Sequence, residues 1–350
     1  VSDQLAGGGA ERFSAQLSQY LDQHQMEVHH VLVLDAVEYD YAGTLFNLGT
    51  LKKNHSGIWG RIVRFKALYS FFSKHSFDVI IDTRVKKKFW QEVVIHRWLY
   101  KSPYVLMVHS ARTEWYVPKG RWGAQWIYRK AAAVVAVSKG IASQLQSEYE
   151  LTNVCTIPVG VTTFPYESQH HLPPYILAVG RMNDRIKQYD RLLEMYAKSN
   201  LPQQGIRLVI VGEGDHLEEY KTRAVQLSIE HLVHFPGRVS NPGLYYDSAL
   251  FTVLTSKNEG FPTVLLESLA CGTPVVAYDC QTGPSEIIQH EINGLLVPNQ
   301  DEVAFIAAME RMITENALYL QCKEQAASSI APFTWEVIGA QWLQLLAQIR

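Results

Sequence analysis

Residues 250–277 read LFTVLTSKNEGFPTVLLESLACGTPVVA, and their pattern decides the fold. The apolar, β-branched run 250–255 is a strand. A polar loop follows, then a proline-opened helix over 262–270 with Leu265, Leu266 and Leu269 at helical spacing. The turn Gly272-Thr273-Pro274 delivers the chain to a second strand over 275–277. A strand, a crossover helix and a strand specify parallel pairing under a layer of helices.

The same alternation extends in both directions. Strands are expected at 175–179, 207–211, 233–235 and 294–297, with helices at 189–199, 216–227, 242–248, 284–289 and 302–316. Upstream, Gly7-Gly8-Gly9 turns into a helix over 10–23. Strands follow at 28–34, 44–48, 78–82, 104–109, 133–137 and 154–157, with helices at 57–74, 90–100, 123–130 and 139–148. Residues 165–174 hold three prolines and no periodicity, which is linker composition. The expected architecture is therefore α/β with two Rossmann-like domains, 1–165 and 166–333, on parallel sheets that face each other across a cleft. A last helix within 334–350, with Trp335, Ile338, Trp342, Leu345 and Leu346 on one face, is expected to return to the first domain. Val1-Ser2-Asp3 reads as the end of a strand, so the natural chain is expected to start further upstream.

Length and composition agree with two packed domains: 350 residues, 47% hydrophobic and 19% charged, exclude a disordered chain. No apolar run approaches the roughly 18 residues of a membrane span. Cys155, Cys271, Cys280 and Cys322 are scattered without a CxxC pair, which argues against a disulfide framework or a zinc site and for a reducing, cytoplasmic setting. Charge is uneven. Residues 52–130 carry 17 Lys and Arg against 4 Asp and Glu, interleaved with Trp59, Phe65, Tyr69, Phe71, Phe72, Phe89, Trp90, Trp98, Trp115, Trp122 and Trp126. Cations with amphipathic rings suit an anionic membrane surface at the inner face of the cytoplasmic membrane, and equally describe a solvated basic face. No nucleic-acid partner is expected.

The chemistry concentrates in Ser256 to Glu267. Glu259 lies in the loop and Glu267 a turn or more into the helix. Pro262 suits a first helical position, which leaves the amides of Thr263 and Val264 free to meet an anion. Arg181 follows a strand and Lys187 stands six residues on, before a helix, so both can converge on one phosphate. Fixed cations there would stabilise a departing diphosphate. Taken singly, each of these groups also reads as an ordinary surface charge or cap.

The stretch 256–277 resembles the two-glutamate motif of family 4 retaining glycosyltransferases, as do Gly283-Pro284-Ser285-Glu286 and Asn293-Gly294-Leu295. The resemblance covers nearly the whole chain, including Gly8-Gly9-Ala10-Glu11-Arg12, Val137-Ser138-Lys139-Gly140 and Val179-Gly180-Arg181 through Lys187. It implies a GT-B fold of the bacterial surface-polysaccharide type. By the same resemblance Glu259 contacts the transferred sugar, Glu267 the ribose, and Arg181 and Lys187 the diphosphate. Gly8 and Gly9 approach the donor phosphate, and His109 stands beside the reacting sugar. Gly212, Arg238, Gly260, Phe261, Thr263 and Val264 complete the donor set. The implied reaction is retaining, same-face transfer from a nucleotide-diphosphate sugar, a UDP-sugar by expectation, to a hydroxyl of a glycan or lipid-linked acceptor. The donor is a substrate, so no cofactor is called for.

The sequence holds no Asp-x-Asp, the usual metal–diphosphate clamp of the other major glycosyltransferase architecture, so metal independence is expected. Where many relatives have Asn-Gly-x-Asp, this chain has Val159-Gly160-Val161-Thr162, and no catalytic role is given to that stretch. A nucleotide-sugar epimerase or phosphorylase on the same fold is the alternative. A dinucleotide oxidoreductase is disfavoured because GxGxxG is missing. A non-catalytic sugar-binding relative would have no need of Arg181, Lys187, Glu259 and Glu267 together.

Overall fold

A computed structural model of the protein describes residues 1–54, 57–86, 88–162 and 173–349. The chain divides into two compact units, Val1–Gly160 with Trp335–Arg350, and Val161–Thr334. Most of the expected linker 165–174, namely 165–172, lies outside the described residues.

The first unit opens with α1 (Gly9–Gln23), β1 (His29–Leu32), β2 (Thr44–Asn47), α2 (Leu48–Asn54) and α3 (Gly57–Lys74). It continues with β3 (Ile80–Asp82), α4 (Phe89–Val94) running into a π-helical turn (Ile95–Leu99), β4 (Tyr104–Val108), α5 (Arg121–Tyr128), β5 (Ala133–Ala136), α6 (Lys139–Tyr149) and β6 (Val154–Thr156). Strands β3-β4-β5-β6 form one parallel sheet and β1-β2 a parallel pair. The first residues join them. Ser2 N–H donates to Val31 O at 3.0 Å and Val33 N–H to Ser2 O at 3.3 Å, while on the other side Thr83 N–H donates to Val1 O at 3.0 Å. β4 and β5 are buried along their whole length, as parallel strands covered on both faces must be.

The second unit contains β7 (Tyr175–Val179), α7 (Tyr189–Lys198), β8 (Arg207–Val211), α8 (Leu217–Gln226), β9 (Val233–Gly237), α9 (Gly243–Ser248) and β10 (Thr252–Leu254). After these come α10 (Thr263–Ala270), β11 (Val275–Asp279), α11 (Pro284–Ile287), β12 (Gly294–Pro298), α12 (Glu302–Thr314) and α13 (Asn316–Ser329). Its strands lie in the order β12-β11-β10-β7-β8-β9, all parallel. From β7 the chain steps one way to β8 and β9, and from β10 the other way to β11 and β12. The order therefore reverses between β7 and β10, and ligands of open α/β sheets bind outside the carboxyl ends at such a reversal. The core beneath is built from Leu192, Tyr196, Leu208, Phe251, Val276 and Phe305, all closed to solvent. Each such aliphatic or aromatic side chain contributes roughly 1.5–3 kcal/mol.

The unit's two ends meet each other: Val161 N–H donates to Phe333 O at 2.8 Å. The last helix, α14 (Trp335–Ile349), belongs to the first unit. Trp335 stacks on Phe13 of α1 at 5.4 Å, and Gly339 lets α14 approach so closely that a Cβ there would stand 2.3 Å from the Tyr20 ring.

Candidate functional site

Every strand of the second sheet ends toward the same edge, so the loops leaving β7, β8, β9 and β10 are neighbours. Gly180 N–H donates to Val211 O (3.0 Å), Gly212 N–H to Gly237 O (2.9 Å) and Met182 N–H to Glu213 O (2.8 Å). Gly212 has φ +145°, and a Cβ on it would meet Gly180 O at 2.0 Å, so only glycine lets these two loops lie side by side. The loop after β7 is stitched to the loop after β10: Thr255 Oγ1 donates to Lys187 O (2.7 Å) and Lys257 N–H to Ile186 O (2.8 Å).

That stitching brings Lys187 and Glu259, 72 residues apart, to a hydrogen-bonded ion pair of 2.7 Å. Their side chains are 19% and 14% exposed, sheltered but reachable. The backbone of Glu259 is fixed from the far side by Thr282 Oγ1, which donates to its carbonyl at 2.5 Å. A Cβ on Gly180 would touch both the Tyr189 hydroxyl and Lys187 Cε, so these two groups crowd the same spot. The Tyr189 hydroxyl is buried without a hydrogen-bond partner, and burial raises its pKa far above the ordinary tyrosine value.

Glu267, on α10, is buried, and Tyr246 on α9 donates its hydroxyl to Oε2 at 2.9 Å. One corner: Pro262 is the N-cap of α10, not its first helical residue, with φ −73° and ψ 99°. The helix thus begins one residue later than the sequence suggests, because Pro262 holds an extended ψ. Thr263 and Val264 still form its first turn, and Phe261 packs on Phe333 at 5.4 Å. Gly260 is buried beside them, and a Cβ on Gly283 would lie 3.0 Å from its carbonyl oxygen. Arg181 is exposed and makes no ion pair among the described residues. Arg238, after β9, lies 3.6 Å from Glu213 in the Gly212 loop.

The remaining candidates stand in the first unit. Gly8 caps α1, a 15-residue helix, and Gly9 is its first residue. His109 follows β4. Its ring lies edge-on to Phe13 at 5.7 Å, and Nε2 is shut from solvent with no partner. Burial pushes its pKa down to about 3, so the imidazole is neutral. A cavity of about 380 Å³ lies between β1 and β3, lined by Ser18, Val28, His30, Val79 and Ile81 among others, and none of the candidate residues borders it.

A second ionic cluster carries no signature in the sequence. Asp82 receives Arg84 (2.7 Å) and Lys86 (2.8 Å), and Arg84 also reaches Glu92 (3.1 Å), all nearly closed to solvent. Asp82, Glu92 and His96 present atoms close enough to hold a metal ion, but both carboxylates already face a cation there. Tyr246, Thr282 and Tyr189 likewise join the candidate site only in the fold. No local signal marks them, because each is brought to the site by the sheet order.

Two Rossmann-like units on parallel sheets define the GT-B class of α/β protein, and solved structures of that fold superpose on nearly the whole chain. HepE from Anabaena in complex with UDP and glucose is 18% identical with a TM-score of 0.74, covering 99% of this chain and 98% of that one. A sucrose-phosphate synthase from Thermosynechococcus elongatus is 22% identical with a TM-score of 0.77, over 99% and 95%. Residues 7–163 match the model described as Glycosyltransferase Family 4, and residues 165–329 that of Glycosyl transferases group 1. The chain belongs to glycosyltransferase family 4. Among curated relatives, an N-acetylgalactosaminyltransferase of Campylobacter jejuni, named for a diphospho-undecaprenol-linked substrate, is 25% identical over 98% of this chain and 97% of its own. An exopolysaccharide phosphotransferase of Streptomyces coelicolor is 35% identical over 47% of this chain, and an uncharacterized glycosyltransferase of Haemophilus influenzae 28% over 61%. The chain spans only 17% and 60% of the lengths of those two.

Proposed function

We propose that this protein transfers a sugar, with retention, from a nucleotide-diphosphate sugar to a hydroxyl of a glycan or lipid-linked acceptor in bacterial surface-polysaccharide synthesis. The Lys187–Glu259 pair carries this reading. It sits at the carboxyl edge of the sheet where the strand order reverses, and it joins a cation suited to a diphosphate with a carboxylate suited to sugar hydroxyls. Arg181 is available as a second cation, and the first turn of α10 offers amides to the same phosphates. Charge that grows on the leaving diphosphate is met by groups already in place, which is where preorganised electrostatics lowers a barrier most. The departing phosphate oxygen takes the acceptor's proton, and Glu259 orients the sugar.

Glu267, held by Tyr246, suits a ribose hydroxyl pair, while Arg238, Gly212, Gly260 and Phe261 line the nucleotide side. Gly8, Gly9 and His109 take their donor roles from the family resemblance. The neutral, unpartnered Nε2 of His109 suits a sugar hydroxyl. UDP is the favoured nucleotide, as in the Anabaena complex, and the Campylobacter relative's name points to a polyprenyl diphosphate carrier as an acceptor class. The cations stand in for a metal, so EDTA should leave the rate unchanged. A strict loss in EDTA would contradict this.

The test is nucleoside diphosphate release across a panel of UDP- and GDP-sugars. One donor should turn over, and Glu259→Ala should lose about 10²–10³-fold while staying folded. Wild-type turnover in Glu259→Ala would overturn the assignment.

A further inference from the structure

Tryptophan is seldom left in water, yet six of the eight tryptophans lie between residues 59 and 126 and every one of them is exposed. Trp59, Trp90, Trp98 and Trp122 are each about three-quarters exposed (76%, 72%, 73% and 74%). They occur on or beside α3, α4, the π-helical turn and α5 of the first unit.

α3 shows the anomaly most clearly. A helix packed on a core should turn a polar face to solvent. Here the outward face, at positions i, i+1, i+4, i+5 and i+8, is Arg61, Ile62, Phe65, Lys66 and Tyr69, all exposed. The inward residue Phe72 is buried against Tyr100. Apolar side chains therefore occupy both faces of α3, and cations flank the outer one.

The rings continue from α3 onto the neighbouring elements. Lys101 Nζ lies over Tyr69 at 6.0 Å, Arg97 over Trp126 at 5.1 Å, and Trp122 and Phe89 both stack on Trp126, with Trp90 against Phe89 at 5.2 Å. The charge is one-sided as well. The buried cluster takes Arg84, Lys86, Asp82 and Glu92 out of the count, leaving 15 cations against 2 carboxylates between residues 52 and 130.

We propose that this ring-and-cation face of the first unit docks on the headgroup layer of an anionic lipid bilayer, with Trp59, Trp90, Trp98 and Trp122 inserted as interfacial anchors and the surrounding lysines and arginines on lipid phosphates. Amphipathic rings and flexible cations together are the composition that such an interface selects. A protein interface would deplete lysine, whereas Lys52, Lys66, Lys88, Lys101, Lys119 and Lys130 are all exposed here. A polyanion would not require Ile62 or Phe65 at the surface. Among the described residues no helix is long and apolar enough to cross a membrane. This docking face deepens, and rests on, the reading of a lipid-linked acceptor, which it would place at the level of its carrier's headgroup.

The experiment is cosedimentation of the whole protein with phosphatidylcholine vesicles with and without phosphatidylglycerol, at low and high salt, alongside nucleoside diphosphate release in the absence of vesicles. Binding should require phosphatidylglycerol and weaken with salt. Arg61→Ala with Lys66→Ala should weaken it by about 5-fold per cation. Trp59→Ser, Trp90→Ser, Trp98→Ser and Trp122→Ser combined should lower it at least ~10-fold even at low salt. Nucleoside diphosphate release should be unchanged in both variants, since none of these residues belongs to the donor site. Donor turnover without vesicle binding would overturn the docking face and leave the proposed activity standing. Binding without turnover of any donor would do the reverse. Single-stranded DNA bound as tightly as vesicles, with the tryptophan variant unaffected, would also overturn the lipid assignment.

Discussion

Two of the places where lysine or arginine meets carboxylate, one in each unit, differ in access to solvent. Asp82, Arg84, Lys86 and Glu92 are closed on all sides, whereas Lys187 and Glu259 keep 19% and 14% of their side chains in solvent. In the closed cluster each charge has exchanged water for its partners. Nearby cations hold the Asp82 carboxyl well below the usual range despite burial, and Asp82 raises Arg84 in turn. Such a cluster ties the segment after β3 to α4 and has nothing left to offer a ligand. The open pair makes the same bond but remains within reach of solvent, so under the proposed function it can trade that bond for a phosphate and a sugar. Access, rather than charge, separates the structural cluster from the pair proposed to bind the donor.

The largest effect should come from breaking the closed cluster. Asp82→Asn leaves Arg84 and Lys86 without their shared anion, and loss of one partner from a buried network costs about 3–5 kcal/mol. Denaturant unfolding should show that loss. A change below about 1 kcal/mol would mean that water reaches the cluster and that the contrast is false.

Acid should sharpen the same distinction. His109 is depressed to about 3 and His30 to about 4 by burial, and His96 is lowered as well. The unfolded chain takes up protons below its ordinary histidine pKa near 6.5, while the folded chain refuses them. The stability that these groups contribute is complete above that pH and falls as pH drops toward their folded values. Asp82 and Glu92, also lowered, extend the loss below the ordinary carboxylate range. One imidazole takes up one proton, so the share of His109 is at most ~1.4 kcal/mol per pH unit. His109→Phe should make the stability–pH curve shallower by up to that slope between about pH 6.5 and 4. An unchanged slope would mean that the imidazole already takes up protons in the fold.

The smallest effect lies within the proposed donor site. Tyr246→Phe removes one hydrogen bond to Glu267 and should raise the donor KM by about 3–10-fold with kcat nearly constant, the pattern of lost ground-state binding. A fall in kcat with KM unchanged would move Glu267 out of the ribose role.

Much of this was legible in the residues. β7 and β8 fall at 175–179 and 207–211 as read, α3 over 57–74 likewise, and the chain reads correctly as parallel α/β throughout. α13 was not legible, because its apolar residues form no stripe and its buried positions are only Cys322 and Ala326. The π-helical turn at Ile95–Leu99 was likewise invisible, since one added residue per turn leaves no mark on a short pattern. Lys187 and Glu259 could be named singly from their motifs. Their contact could not, because it depends on β7 and β10 lying side by side, which the sheet order decides. The buried cluster is the sharpest lesson: Arg84 and Lys86 counted toward a basic surface in the sequence and are spent inside the fold.

The central claim is that the open pair grips the donor, and calorimetric titration of UDP into wild type and Lys187→Ala tests it most directly. With both proteins equally stable to heat, Lys187→Ala should bind UDP at least ~10-fold more weakly, the minimum expected for a lost charge-assisted contact to a phosphate. Equal affinity in the two proteins would contradict the account.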